Sequence, residues 1–218
     1  MPKIAQFDAV LFDMDGTIFD SESLYSQAWV ASAAHFNQHF TPDMYKYFVG
    51  VRSAECYQIA QGMFGEAFDM QPFIEFFRRY LSAEKAKNMP LKPGFKFIFE
   101  QLKQTGVKLG LVTSSRQASV AENFANLPYL QYFDLVISGD DVTEAKPAAE
   151  CYLKACKQLN VLPQKTLVFE DSNPGALAAI RAGCHTIVIP DLLPIQTDIQ
   201  QQAHALFDDF YQVQQAYF

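Results

Sequence analysis

Residues 9–20, AVLFDMDGTIFD, join a short apolar run to three aspartates, Asp13, Asp15 and Asp20. A run of this length, rich in Val, Leu and Phe, is typical of a strand buried on both faces of a parallel sheet. Carboxylates this close together repel one another and resist the loss of water, so a fold gathers them only where something offsets the repulsion. The stretch therefore predicts a buried strand that ends at a charged functional site.

Four further apolar runs have the same character and predict four more strands. They are KLGLV (108–112), DLVIS (134–138), TLVF (166–169) and HTIVI (185–189). From residue 94 onward helical patterns fall between these runs, namely FKFIFEQLKQTG, SVAENFANL, AAECYLKACKQLN and PGALAAIRAG. Strands that alternate with helices predict an α/β fold with a doubly wound, Rossmann-like parallel sheet.

Residues 20–88 interrupt this alternation and show helical patterns only, in SLYSQAWVASAAHF, SAECYQIAQGMF and QPFIEFFRRYLSAEKAK. The stretch NMPLKPG (88–94), with two prolines and a glycine, is typical of a linker that returns to the sheet. We therefore expect an α/β core of residues 1–19 and 89–218. An all-helical cap domain, residues 20–88, is inserted after its first strand.

The composition limits the function classes. The chain has 218 residues, a formal net charge of −7 and 50% hydrophobic residues, which suits a sizeable core. An acidic chain without a basic face argues against a nucleic-acid or anionic-membrane binder. No stretch approaches the length of a membrane span, and the N-terminus lacks an apolar signal region. The four cysteines have no C-x-x-C spacing and lie in apolar stretches, so we expect reduced core thiols in a cytoplasmic protein.

Polar side chains follow four of the predicted strands. They are Asp13 and Asp15, then Thr113, Ser114 and Ser115, then Asp140, Asp141 and Lys146, and finally Glu170 and Asp171. Ligands of open parallel sheets bind outside the carboxyl ends of the strands, so we expect these groups at one common edge. An acid after a strand also commonly caps a helix or a turn, and we favour that interpretation for Asp140 and Asp141.

The chemistry that this set suits is phosphoryl transfer. Carboxylates without a neighbouring histidine or cysteine favour a hard cation held by oxygen, most naturally Mg²⁺. Such a cation would offset the repulsion among Asp13, Asp15 and Asp171, while a hydroxyl and Lys146 would bind phosphate oxygens. The D-x-D spacing allows Asp13 to act as a nucleophile that forms an aspartyl phosphate, and Asp15 to act as general acid and base.

Four motifs in order, DMDGT (13–17), LVTSS (111–115), KP (146–147) and FEDSNPG (169–175), resemble those of the haloacid dehalogenase superfamily. The likeness spans the chain, and the helical insertion corresponds to that superfamily's first type of cap. Dehalogenating members lack the second aspartate, whereas phosphatases and phosphomutases have it, so Asp15 favours phosphoryl chemistry. The resemblance implies an enzyme, a Mg²⁺-dependent phosphohydrolase with an aspartyl-phosphate intermediate.

Carried over by position, the resemblance also implies roles for individual residues. The catalytic residues would be Asp13, Asp15 and Lys146. The phosphate-binding residues would be Thr113, Ser114 and Lys146. The metal ligands would be Asp13, Asp15 through its carbonyl, Asp171, and Glu170 as an additional or outer ligand. One departure is visible, because relatives often have K-P-x-P-D-x-[FY] where this chain has KPAAECY (146–152); it concerns the start of a helix rather than the lysine.

The nearest branch resembles the β-phosphoglucomutase-like enzymes that act on sugar phosphates. The mutase cap carries a histidine after the first motif and a K-G-x-S-R segment, whereas this chain has Tyr25 and VGVRSAE (49–55), with Val49 in the place of the lysine. We therefore favour a phosphatase over a mutase, which remains the alternative. Glu22 and Arg52 are the candidates for contacting the leaving group from the cap.

The expected substrate is a small phosphorylated metabolite, most naturally a sugar phosphate or a polyol phosphate. The main alternative from another class is a phospho-acceptor signalling module of the receiver type, which also places acids, a hydroxyl residue and Lys-Pro at strand ends. The insertion at 20–88 and the D-x-D pair argue against it. We expect a monomer, with a dimer as the alternative, that binds neither nucleic acid nor membrane.

Overall fold

The computed structural model describes residues 3–49, 51, 53–87 and 89–218. The chain forms two compact units, one made of the residues up to Asp20 and from Pro90 onward, the other of Ser21–Met89. The divisions fall one residue after the expected boundaries. The first unit contains the sheet, and the second is helical.

The described residues form a single six-stranded sheet with strand order β3-β2-β1-β4-β5-β6. The strands are β1 (Ala9–Phe12), β2 (Lys108–Val112), β3 (Leu135–Ile137), β4 (Thr166–Glu170), β5 (His185–Val188) and β6 (Ala205–Leu206). All neighbouring pairs run parallel. This is the strand order of a doubly wound Rossmann-like sheet, so the predicted fold class is confirmed.

Ten α-helices lie within the described part of the chain. They are α1 (Ser21–His35), α2 (Pro42–Tyr45), α3 (Ser53–Phe64), α4 (Met70–Lys87), α5 (Phe95–Thr105), α6 (Gln117–Phe124), α7 (Glu150–Leu159), α8 (Asn173–Ala182), α9 (Thr197–Gln202) and α10 (Phe210–Tyr217). The first four build the second unit, and the other six belong to the unit of the sheet. No helix in the described residues has both the length and the hydropathy needed to cross a membrane.

Side-chain alternation along the strands assigns the two faces of the sheet to different helices. Leu11 and Val168 pack with residues of α7 and α8 in one apolar cluster. Phe12 faces the other way, where its ring lies 5.6 Å from that of Phe95 in α5 and 6.2 Å from that of Phe210 in α10. Both faces are thus covered, which explains why β1 and β4 are uninterrupted apolar runs.

The second unit packs around the single tryptophan of the chain. Trp29 in α1 lies among four aromatic rings with centroid distances of 4.6–5.5 Å. They are Phe40, Phe48, Phe73 and Phe77. Aromatic packing of this density gives the helical unit an apolar core of its own.

Predicted and observed elements differ mainly at their ends and near the C-terminus. The third strand is shorter than predicted, because Asp134 accepts a hydrogen bond from the Leu109 backbone N–H through its side chain and Ser138 begins a turn. The helix α2 and the last three elements, β6, α9 and α10, were not predicted. With two to eight residues each, they offer no periodic pattern long enough to read.

Candidate active site

The candidate active site lies where the strand order reverses, between β1 and β4. Phe12 pairs with Phe169 in this parallel register, and the Asp13 N–H donates to the Phe169 carbonyl at 3.0 Å. Asp13 and Glu170 therefore leave the sheet side by side, both on the face covered by α7. Such a reversal is where ligands bind in open α/β sheets.

Lys146 joins these two acids. Its Nζ donates to Asp13 Oδ1 at 2.5 Å, to Glu170 Oε1 at 2.7 Å and to the Val112 carbonyl at 3.2 Å. Only 6% of its side-chain surface is exposed. An ammonium group has three hydrogens, and all of them have protein acceptors here. Lys146 is thus a buried, fully paired cation between two carboxylates.

The same contacts shift the pKa values of the group. Burial raises the pKa of Asp13 to about 8, with the charges of Glu170 and Asp15 adding to this effect and Lys146 opposing it. Burial alone would lower the pKa of Lys146, but Asp13 and Glu170 outweigh it and raise that pKa above its usual range. The lysine therefore stays charged at all physiological pH values, while the ionised form of Asp13 needs further positive charge nearby.

Glu170 is completely buried, with 0% of its surface exposed, and both of its oxygens are occupied. Oε1 accepts from Lys146 and from the Tyr152 hydroxyl at 2.7 Å, while Oε2 accepts from the Asp171 N–H and from the N–H and hydroxyl of Ser172. Five donors leave Glu170 little capacity to bind a cation directly. The arrangement favours its outer role over that of a direct ligand.

Tyr152 is a site residue that the sequence reasoning did not single out. It is fully buried, and its hydroxyl donates to Glu170 Oε1, the same oxygen that accepts from Lys146. The signal was present, because Tyr152 occupies the aromatic position of K-P-x-P-D-x-[FY]. The same segment contains Glu150, whose carboxylate accepts from the Thr143 and Glu144 N–H groups at 3.0 and 2.7 Å. Glu150 thus anchors the start of α7 where relatives have aspartate.

Asp15 lies apart from this cluster. Its Oδ2 accepts from the Ser115 hydroxyl at 2.7 Å, and its Oδ1 accepts from Asn123 at 3.4 Å. Asp15 is therefore oriented by neutral donors rather than by a lysine. A carboxyl group held in this way can give up and take back a proton without breaking an ion pair.

The hydroxyl residues after β2 lie at the same strand-end level. Thr113 is buried, its N–H donates to the Ile137 carbonyl at 2.9 Å, and its hydroxyl oxygen accepts from the Ser115 N–H at 3.0 Å. Ser114 is exposed. The Thr113 hydroxyl keeps its own hydrogen to donate.

The donor set fits a hard divalent cation. Carboxylate oxygens of Asp13, Glu170 and Asp171 lie within 4.8 Å of one another, and Asp13 and Asp171 suit direct binding while Glu170 suits an outer position. Opposite ligands of an octahedral Mg²⁺ are about 4 Å apart, so small side-chain movements would suffice. Burial and the charges of its acidic neighbours raise the pKa of Asp171 far above the usual range, although Thr17 donates to it at 3.1 Å. A cation would relieve that repulsion.

Two glycines make this close packing possible. Gly16 has φ +84°, and a Cβ there would collide with the Asp171 carboxylate. Gly175 in α8 lies directly against Glu170, and a Cβ at that position would overlap the carboxylate. The motifs thus need glycine for space as well as for conformation.

Two further acids have the structural roles that we favoured. Asp140 accepts from the Gln117 N–H at 3.0 Å, at the start of α6, and Asp141 accepts from the N–H and hydroxyl of Ser138 in a local turn. Glu22, in the first turn of α1, accepts from the Tyr45 hydroxyl at 2.6 Å within the helical unit. Arg52 lies outside the described residues.

Comparison with known proteins gives consistent results. A family model for haloacid dehalogenase-like hydrolases matches residues 10–189. A phosphorylated carbohydrates phosphatase of Thermotoga maritima is 35% identical over 83% of this chain and 83% of its own length. A validoxylamine A 7'-phosphate phosphatase of Streptomyces hygroscopicus subsp. limoneus is 34% identical over 81% of this chain and 83% of its own length.

A solved structure agrees over nearly the whole chain. A Thermotoga maritima protein provisionally assigned as a β-phosphoglucomutase superposes with a TM-score of 0.83 at 29% identity. The superposition covers 97% of this chain and 100% of that protein. This chain and that protein thus share one fold.

Proposed function

The chain belongs to the haloacid dehalogenase-like hydrolases, and from this premise we propose that it is a Mg²⁺-dependent phosphatase of phosphorylated carbohydrates. The observation that carries the proposal is the set of Asp13, Lys146, Glu170 and Asp171 at the reversal of strand order. These residues bring together a candidate nucleophile, a buried lysine ammonium group and carboxylate oxygens of the kind that bind Mg²⁺. The family match also sets aside the receiver hypothesis.

In the first half-reaction, Asp13 Oδ2 attacks the phosphorus atom of the ester. Among the described residues no hydrogen bond to this oxygen is found, while Oδ1 is fixed by Lys146. The bond from phosphorus to the sugar oxygen breaks as the aspartyl phosphate forms. Asp15, oriented by Ser115, donates its proton to the departing oxygen.

In the second half-reaction, Asp15 takes a proton from water as that water attacks the phosphorus of the aspartyl phosphate. The acyl phosphate bond breaks, and inorganic phosphate and free Asp13 result. Thr113 and the Ser114 main chain bind the phosphoryl oxygens throughout. The three hydrogens of Lys146 are already donated within the protein, so it stabilises the phosphoryl group through its positive charge. Asp13, the Asp15 carbonyl and Asp171 would hold Mg²⁺, whose positive charge would lower the pKa of Asp13 and stabilise the developing phosphoryl charge.

Glu170 keeps Lys146 in place rather than binding the substrate. Its five hydrogen bonds fix both oxygens, and Lys146 is drawn to the point where it contacts Asp13. In this role Glu170 would affect a bound metal only indirectly, by fixing the positions of Lys146 and Asp171.

The helical unit supports a phosphatase better than a mutase. Val49, which stands in the place of the mutase lysine, packs against the apolar cluster around Trp29. Tyr25, in the place of the histidine, lies in the same cluster, 6.4 Å from Phe77 between ring centroids. We propose that this unit serves as the substrate-selecting cap, with Glu22 and Arg52 as candidate contacts.

The cellular setting follows from the same premises. Four free, buried cysteines are typical of proteins in a reducing compartment, which supports a cytoplasmic location. The net charge of −7 supports a small-molecule substrate rather than nucleic acid. We propose a monomer as the working unit, with a dimer as the alternative.

The test is phosphate release from a panel of sugar and polyol phosphates, with Mg²⁺ and then with a chelator. We expect release from sugar phosphates that stops on chelation and returns with Mg²⁺. Absence of release from every ester would overturn the proposal. Conversion of β-glucose 1-phosphate to glucose 6-phosphate without net release would establish the mutase instead.

Asp13→Asn tests the nucleophile. We expect the rate of phosphate release to fall more than about 1,000-fold, because the amide cannot form the aspartyl phosphate. The fold should survive, since burial already raises the pKa of Asp13 and favours a neutral group at this position. Circular dichroism would verify the fold, and substantial remaining turnover would exclude Asp13 as the nucleophile.

A further inference from the structure

A second buried ion pair lies beside the candidate active site and is not part of the four motifs. Lys92 Nζ donates to Asp191 Oδ1 at 2.8 Å. Lys92 precedes α5, and its N–H donates to the carbonyl of Ile18, two residues after Gly16 in the sequence. Asp191 follows β5, in a segment where the Ile189 N–H donates to the Glu170 carbonyl at 2.8 Å. One backbone hydrogen bond thus joins Lys92 to the residue after the first motif, and another joins the segment before Asp191 to the fourth motif.

The pair leaves one carboxylate oxygen without a donor. Only 8% of the Asp191 side-chain surface is exposed, and within the described residues Oδ2 is buried without a hydrogen-bond partner. A buried acceptor without a donor is unfavourable because it has lost its hydrogen bonds to water, and more so when it is charged. Lys92 needs only Oδ1, so a purely structural ion pair gives no reason for the direction of Oδ2.

The unpartnered oxygen points toward the acidic cluster. A Cβ on Gly16 would collide with the Asp171 carboxylate and would also lie 3.2 Å from Asp191 Oδ2. The two carboxylates therefore border the same small space. Two carboxylates that face each other in this way require positive charge or hydrogen-bond donors between them.

A hydrated metal ion supplies both. Mg²⁺ keeps several of its water ligands in protein sites, and those waters direct their hydrogens outward. Carboxylates that accept such hydrogen bonds orient the metal and its direct ligands. Given the proposed Mg²⁺ site, we propose that Asp191 accepts a hydrogen bond from a metal-bound water through Oδ2, and that Lys92 is the positioning residue that holds Asp191 in this orientation.

The direct test is the affinity of the substrate-free protein for Mg²⁺, measured by calorimetry. In Asp191→Asn the amide oxygen pairs with Lys92, so the NH₂ group, which cannot accept, faces the site. We expect Mg²⁺ binding to weaken about ten-fold. The control is Asp198→Asn, in α9, which removes the same charge from an exposed position and should leave the affinity within about two-fold of wild type.

A second variant removes the effect of net charge. The double variant Lys92→Met with Asp191→Leu loses one positive and one negative charge, so its net charge equals that of the wild type. We expect the same loss of Mg²⁺ affinity, because the acceptor is gone in both. If Asp191→Asn alone does not fold, this variant decides, since replacing a whole buried pair leaves no unpaired charge.

The outcomes separate this inference from the proposed function. Mg²⁺ affinity unchanged in both variants would overturn the role of Asp191 while leaving the metal-dependent phosphatase intact. An equal loss of Mg²⁺ affinity in Asp198→Asn would mean that the effect comes from the change in net charge, and would overturn the inference. A wild-type protein that binds no Mg²⁺ would overturn both proposals.

Discussion

Lys146 shows how single residues define this site. A lysine that is 6% exposed is stable only because three oxygens surround its ammonium group, and two of them belong to carboxylates. Glu170 is needed in turn to draw the lysine between the strands, and Tyr152 completes the donors to Glu170 Oε1. In the proposed reaction, the surroundings of Asp13 thus depend on Glu170 and Tyr152, which would not touch the substrate.

Tyr152→Phe tests this chain of contacts. The change removes only the hydroxyl that donates to Glu170, so we expect the free energy of unfolding to fall by about 1–3 kcal/mol. We expect kcat/KM to fall less than about ten-fold, since Lys146 remains in place. Urea unfolding and steady-state kinetics measure the two effects.

The matched control for Tyr152→Phe is Tyr211→Phe, which removes the same atom from a residue that is 52% exposed. Its free energy of unfolding should stay within about 0.5 kcal/mol of wild type. Equal stability of the two variants would mean that the bond from Tyr152 to Glu170 contributes nothing.

At the scale of elements, the start of α8 is coupled to the end of β4. Ser172 is the N-cap of α8, where its hydroxyl oxygen accepts from the Gly175 N–H at 3.2 Å. The same hydroxyl donates to Glu170 Oε2 at 3.1 Å. One side chain therefore both begins a helix and positions the acid that holds Lys146.

Ser172→Ala separates these two roles when compared with Asp209→Ala. Both changes remove an N-cap side chain, of α8 and of α10 respectively, so both should lower the free energy of unfolding by about 1 kcal/mol. Only Ser172→Ala also removes a donor to Glu170, so only that variant should lower kcat/KM.

Thermal unfolding and kinetics of the two cap variants provide the measurement. A fall in kcat/KM of the same size in both would show that activity follows general stability. In that case Ser172 would act as a helix cap alone.

At the scale of the whole molecule, two stacked histidines outside the four motifs lie where the sheet meets the C-terminal helix. The rings of His185 and His204 lie 3.6 Å apart, and Tyr217 in α10 contacts His185 Nε2 at 3.3 Å. Burial, with the neighbouring His204, lowers the pKa of His185 to about 4. The Thr186 N–H donates to His204 Nδ1, which is therefore unprotonated in the fold.

These histidines predict acid sensitivity. The unfolded chain protonates histidine near pH 6.5, whereas the folded chain keeps His185 neutral down to about pH 4. Their contribution to stability is therefore complete above pH 6.5 and is lost as the pH falls toward 4. The variant His185→Phe has no such group to protonate. As the pH falls from 6.5 to 4, we therefore expect the Tm of the wild type to fall more than the Tm of His185→Phe.

The control is His39→Gln, at an exposed histidine of the helical unit. Its Tm difference from wild type should stay flat between pH 7 and pH 4, while carboxylates titrate equally in all three proteins. A flat difference for His185→Phe as well would exclude His185 as a source of the pH dependence.

Much of the architecture could be predicted because it is encoded locally. Five apolar runs became β1 to β5, two of them with unchanged bounds, because strands buried on both faces must be continuously apolar. Asp13, Thr113, Lys146 and Glu170 follow these strands or their connecting loops, and the edge of a parallel sheet brings such groups together whatever their distance in sequence. Local pattern thus determined the fold class and the main acidic residues.

What only the tertiary structure decided is the choice of partners among those groups. Lys146 pairs with Asp13 and Glu170, and Asp191 pairs with Lys92, across separations of 24 to 133 residues. No periodicity marks such pairs, because partner choice depends on strand order, register and the space left by Gly16. The sequence by itself determined which chemistry the strand ends bring to the site. Only packing determined which carboxylate oxygen is occupied and which remains available, since that depends on donors from other parts of the chain.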